Sequence, residues 1–228
     1  FFIPSFYGFG GATYWGNMPF TDYPNYMGII VLALAVMGTL FHGSKIKWYF
    51  LATGILALMI SFGKHFFLYQ IFYDYFPYFN KFRVPAMFLI LTQFSVSVLS
   101  GLGLEVITKW ISGNNIRESV NKMALVWGCV IVIVLIIKFS LGSQPDFGAS
   151  SHPVLNSLRL NMINSDTMMV LLLLILGVAV FYIARLGWIN SKGLAGIVIA
   201  LSILDMVLVD QKIIEPKRGS YRQSNMTN

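Results

Sequence analysis

Charge is scarce in this chain: Asp, Glu, Lys and Arg make up 11% of its 228 residues, against about 25% in a typical soluble domain. Apolar residues reach 57% and mean hydropathy is +0.71, a balance that excludes a water-soluble globule. Cysteine is nearly absent. A single Cys129 rules out an internal disulfide and a multi-cysteine metal site, and its place in the run VWGCVIVIV marks it as a small packing residue. Soluble-enzyme motifs are missing as well. The GFGG of residues 8–11 lacks the Lys-Ser/Thr of a phosphate loop and the spacing of a dinucleotide fingerprint. No Gly-x-Ser-x-Gly elbow occurs, and His42, His65 and His152 sit in separate connectors with no partner at helical spacing. The basic excess, 16 Lys and Arg against 9 Asp and Glu, contains no dense basic block. It points to anionic lipid headgroups rather than nucleic acid.

What the chain does contain is six apolar runs, at 26–41, 48–62, 86–107, 123–141, 168–184 and 194–209. A membrane-crossing helix needs about 20 mostly apolar residues, and in lipid every backbone polar group must be paired internally, so runs of this length imply helices. The alternation of a membrane barrel is absent. The expected fold is therefore an all-α integral membrane protein, a bundle of about six transmembrane helices with aromatic-rich external loops. Residues 1–210 form the polytopic domain and 211–228 a polar tail. The chain opens on Phe1 with no basic segment before its apolar residues, unlike a signal peptide. It is expected to be a piece of a longer protein, its tail leading into a further extracytoplasmic region.

The connectors alternate in charge. Lys45, Lys47, Lys109, Arg117, Lys122, Arg185 and Lys192 all fall in 42–47, 108–122 and 185–193. The longer segments 1–25, 63–85 and 142–167 carry only Lys64, Lys81, Arg83 and Arg159. The positive-inside rule then puts the short basic connectors in the cytoplasm and both termini outside. The tail, which is also basic, votes the other way.

Four residues stand out at the expected outer face: Lys64, His65, Lys81 and Arg83, flanking the segment KHFFLYQIFYDYFPYFNKFR. That segment reads as an interfacial helix followed by a turn at Pro77, or as a re-entrant loop. Arg grips phosphate with a two-pronged fork and Lys acts as a point cation. Tyr14, Trp15 and the tyrosines of 73–78 suit stacking on sugar rings. Snorkelling to headgroups is the plainer account of the same cations. Asp205, inside LSILDMVLV, either lines a substrate or proton path or locks helix packing. Glu105 and Lys109 form an i,i+4 pair, and Ser97 and Gly101 form a small-xxx-small pair for close helix packing, with Ser100 and Gly103 beside them.

The stretches YWGNMPFTDYPNYMGIIVLALAVMG (14–38), YFPYFNKFRVPAMFLIL (75–91) and ILDMVLVDQKII (203–214) resemble the YfhO-like bacterial membrane proteins, FRVP at 82–85 being the most specific element. The resemblance implies a glycosyltransferase of the GT-C type, or a relative. Such proteins move a sugar from a polyprenyl-phosphate donor to a cell-surface polymer or lipid at the outer face of the bacterial plasma membrane. It also implies that the catalytic acid lies upstream of this stretch. No cofactor is expected here, and a divalent metal would belong to the full-length protein. The expected partners are membrane lipids and the polyprenyl-phosphate sugar donor, bound through Lys81, Arg83, Lys64, His65, Tyr14, Trp15 and Asp205. The competing reading is a non-enzymatic transporter or flippase-like bundle, which should show polar or discontinuous helices near the midplane.

Overall fold

The computed structural model describes residues 2–7, 14, 25–81, 84–112, 116–140 and 153–214. Among them are seven α-helices: α1 (Ile29–Phe41), α2 (Ile46–Ser61), α3 (Phe67–Tyr75), α4 (Leu89–Ser112), α5 (Ile116–Ser140), α6 (Pro153–Arg185) and α7 (Ser191–Ile214). No strand occurs among the described residues. Each apolar run of the sequence has most of its residues in one of these helices, and α3 is an additional short one.

Among the described residues, four helical stretches are long and apolar enough to cross a membrane: Pro85–Ser112, Asn121–Ser140, Leu155–Arg185 and Ser191–Lys212. The first two runs give shorter helices, of 13 and 16 residues. At 1.5 Å per residue α1 spans about 20 Å, less than the roughly 30 Å hydrocarbon thickness. It starts at Ile29 rather than Tyr26 because residues 25–28 are non-helical and Gly28 adopts φ 89°, a left-handed conformation that glycine takes without steric cost.

The largest difference from the sequence expectation is α6. The segment 142–167, read as an external loop, contains the first half of a 33-residue helix. Its buried residues Arg159, Ile163, Asp166, Thr167, Val170, Leu173 and Leu174 recur at helical spacing. Asn and Ser residues on the other positions, with Arg159 and Asp166 among the buried ones, masked that period in the sequence. The connector 108–122 likewise shrinks, because α4 runs on to Ser112 and α5 begins at Ile116.

Small residues set the helix approach, though not the ones the sequence pattern favoured. Ser97 and Gly101 are exposed, and a Cβ on Gly101 would meet nothing within 4 Å. The close contact is instead between Gly38 of α1 and Gly103 of α4. A Cβ on Gly103 would lie 1.9 Å from the Leu34 carbonyl oxygen, and one on Gly38 would lie 2.2 Å from that of Leu99. Backbone meets backbone here, so neither neighbour can yield by rotating a side chain. Glycine on both helices lets them come close enough for dispersion and Cα–H···O contacts, the forces that hold helices together in lipid. On the other side of the bundle, Trp127 of α5 lies across Gly177 of α6, with a Cβ there only 2.3 Å from the indole. Phe181 completes the contact edge-on, 5.0 Å away between ring centroids. Cys129, read as a packed residue, is exposed on α5.

These contacts separate the two candidate small-residue positions experimentally. Gly103→Ala should lower the detergent unfolding midpoint, at a cost of about 1–3 kcal/mol for overpacking a tight contact. Gly101→Ala should be neutral or slightly stabilising, since alanine is the better helix former. Equal effects of the two variants would contradict the α1–α4 geometry.

Candidate functional site at the aromatic end of the bundle

The end of the bundle where α1 and α4 begin gathers most of the polar chemistry. A short helix that starts within an apolar bundle must satisfy its first amides without water. Gly28, at the N-cap, has no side chain to do so. Asp205 does it from α7. Its Oδ2 accepts the Ile29 N–H at 2.7 Å and its Oδ1 accepts the Tyr26 hydroxyl at 2.7 Å. The Ile29 N–H is shared with the Tyr26 hydroxyl oxygen at 3.0 Å. Asp205 has no solvent exposure. Its negative charge lies against the positive end of the α1 dipole, where an anion is stabilised. The absence of a side chain at Gly28 matters here too, since a Cβ would press to 3.2 Å from Asp205 Oδ2. Of the two readings of Asp205 open in the sequence, this geometry carries the packing one: both carboxylate oxygens are engaged by α1 and Tyr26.

A second buried carboxylate was not singled out in the sequence. Asp166 of α6 is 1% exposed. Its Oδ2 accepts the Ser5 N–H at 2.9 Å and also the Ser5 hydroxyl. Its Oδ1 takes the ammonium of Lys212 from α7. Asp166 thus joins α6, α7 and the segment 2–7, in which Ile3, Pro4 and Ser5 are buried. Lys212 had counted among the tail cations that opposed the charge-based orientation, and its partner is this carboxylate. Together, Asp166 and Asp205 anchor the chain at Ser5 and again at 26–29.

The expected binding cluster is partly assembled. Lys64 and His65 lie on a 3₁₀ turn, Gly63–His65, directly after α2, and both are exposed. Gly63, at φ 56°, packs so tightly on Pro85 that a Cβ would stand 3.1 Å from the proline ring. Lys81 lies on another 3₁₀ turn, Phe79–Lys81, its ammonium 4.9 Å from the centre of the Tyr78 ring, a cation–π distance. Phe79 is buried and stacks on Phe88 at 5.7 Å. Both turns are therefore fastened to the 3₁₀ turn Pro85–Phe88 that leads into α4, which brings Lys64, His65 and Lys81 around one helix start. Between them runs α3, with no buried residue and with Phe67, Tyr73 and Tyr75 exposed. Tyr14 is half-buried. Arg83 and Trp15 lie outside the described residues. Asp205, bound beneath α1, belongs to a separate constellation. Among the described residues no three His, Cys, Asp or Glu side chains gather as metal ligands.

At the opposite end the expected Glu105–Lys109 pair forms, 2.5 Å apart. His42, at the C-cap of α1, adds a contact to Glu105 at 3.4 Å that sequence spacing could not show.

These features define a helical, multi-pass membrane protein with two buried carboxylates and an exposed cationic, aromatic rim at one end. In comparisons with known proteins, the chain matches no family model, no curated sequence and no solved structure.

The roles of Asp205 in charge and in hydrogen bonding are separable. Asp205→Asn keeps an acceptor for the α1 amides and should cost about 1–2 kcal/mol of stability. Asp205→Leu strands those amides and the Tyr26 hydroxyl, and should cost about 2–5 kcal/mol. Unfolding midpoints in detergent would report the order, and a leucine variant as stable as wild type would remove the cap.

Proposed function

We propose that this chain is the later part of the membrane domain of a GT-C-type glycosyltransferase-like protein, similar to the YfhO-like bacterial membrane proteins. In this reading it helps transfer sugar from a polyprenyl-phosphate donor to a cell-surface polymer or lipid at the outer face of the plasma membrane. One observation carries the reading: Lys64, His65 and Lys81 stand exposed around the 3₁₀ turn Pro85–Phe88 that leads into α4, beside the aromatic face of α3. A carrier lying in the outer leaflet would present its phosphate at that depth. In this reading Arg83, two residues before Pro85 in the sequence, supplies a forked donor for the phosphate, and the amides of the helix start contribute partial positive charge. The catalytic acid belongs to an upstream part of the protein. With α1 and α2 counted beside the four longer helices, the domain makes six passes, with its short basic connectors in the cytoplasm and both termini outside.

The transporter or flippase-like alternative draws support from α1, whose start is broken within the bundle, as half-helices are at transporter binding sites. There the dipole end faces a substrate. Here Asp205 already occupies it, which favours the transferase reading.

In the full-length protein, Arg83→Lys should raise the apparent KM for a polyprenyl-phosphate-sugar donor about ten- to a hundredfold at unchanged expression, through loss of a charge-assisted hydrogen bond. Headgroup anchoring alone would leave the KM unchanged, and that outcome would contradict the proposed site. A single cysteine at Asn80 should react with an impermeant thiol reagent in intact cells, with cysteines at Lys45 and Lys192 protected. The reverse pattern would overturn the orientation.

A further inference from the structure

The end of the bundle carrying the short basic connectors holds a second cationic feature, opposite the rim just described. The last turns of α4 meet the first turn of α7 there, and between them lies a hollow of about 350 Å³ lined by Thr108, Lys109, Ser112, Ser191, Lys192 and Ala195. Lys109 also borders a neighbouring hollow of about 330 Å³ beside Glu105, His42 and Trp110. Thr108 and Ser112 turn their hydroxyl hydrogens to carbonyls of their own helix, at 2.9 and 3.0 Å. The donors left for a ligand are the two ammonium groups and the Ser191 hydroxyl. Glu105 holds the Lys109 ammonium at 2.5 Å and occupies one of its three N–H donors, leaving two. At the start of α7, the Asn190 side chain takes the Gly193 N–H at 2.7 Å, and the Asn190 carbonyl takes that of Leu194. The amides of Ser191 and Lys192, in the first turn, have no intrahelical acceptor.

Depth is fixed by the aromatics at the same end. Trp48 and Trp188 are 59% and 80% exposed, in the manner of an interfacial belt. Arg185 and Lys45 add exposed positive charge around them. The hollow thus combines two lysines, one hydroxyl and a helix start at headgroup depth, in a cationic surround. We infer that the hollow between α4 and α7 binds the phosphodiester of an anionic phospholipid, held by Lys109 and Lys192. The chemistry recognised is a phosphate oxyanion. The lipid is its source because the hollow opens where the tryptophans place the membrane surface.

The test is native mass spectrometry of the detergent-purified chain titrated with phosphatidylglycerol, with phosphatidylcholine and inorganic phosphate as separate arms. Phosphatidylglycerol should be retained in preference to phosphatidylcholine. Lys109→Ala with Lys192→Ala should weaken phosphatidylglycerol on the order of 25-fold, about fivefold for each lysine. Lys45→Ala with Lys47→Ala should change it by less than about twofold, because those lysines contribute only to the general field. An unfolding midpoint in detergent unchanged from wild type in both double variants reports that they remain folded. Three results would each overturn the proposal: undiminished binding in the Lys109/Lys192 variant, an equal loss in the Lys45/Lys47 variant, or displacement of the lipid by millimolar inorganic phosphate. The last would make the hollow a site for soluble phosphate.

Discussion

A helix that begins inside apolar surroundings needs a partner for its first amides, and in this protein that partner is a carboxylate from the far end of the chain. Asp205 reaches from α7 to the start of α1 and takes the hydrogen bonds that Gly28 cannot. Neither half is stable alone. A bare carboxylate at that depth would be costly, and bare amides would each cost a desolvated hydrogen bond. Placed together, the charge meets the helix dipole and the amides meet an acceptor. The position of α1 follows from this, and with it the glycine contact to α4, because only a helix seated at that height brings Gly38 against Gly103.

Asp166 repeats the device one helix over. It binds Ser5 through both the amide and the hydroxyl and takes Lys212 from α7. Its neutralising cation is supplied from the helix that also carries Asp205, so α7 serves both constellations with residues of opposite charge. The consequence for function is a division of labour. The buried carboxylates hold the frame, while Lys64, His65 and Lys81 are exposed on turns fastened to it by Gly63 against Pro85 and Phe79 against Phe88. Cations on rigid turns lose less freedom on binding an anion than cations on a free loop.

The sequence made the membrane class and the helical positions legible, because hydropathy is local and long apolar runs have one structural solution in lipid. It also drew attention to Asp205, since a lone carboxylate in LSILDMVLV is conspicuous. Its role was not legible. Tyr26 and Ile29 lie about 180 residues away, and no periodicity links them. Asp166 was hidden by composition, because a helix rich in Asn, Ser and Asp at its start reads as a loop until its buried positions are aligned. The small-residue stripe failed for a related reason. Spacing shows that Gly101 and Gly103 can each face a neighbour, but only the position of α1 selects Gly103. The cationic rim was legible as residues and not as an arrangement, since the two turns meet only through Pro85 and Phe88.

The cap on α1 is tested most directly by residue-resolved amide hydrogen exchange in the detergent-solubilised chain. With Asp205 in place, the Ile29 amide should exchange as slowly as amides in the middle of α1, although it lies in the first turn. Exchange at Ile29 as fast as at an uncapped, solvated helix start would contradict the account.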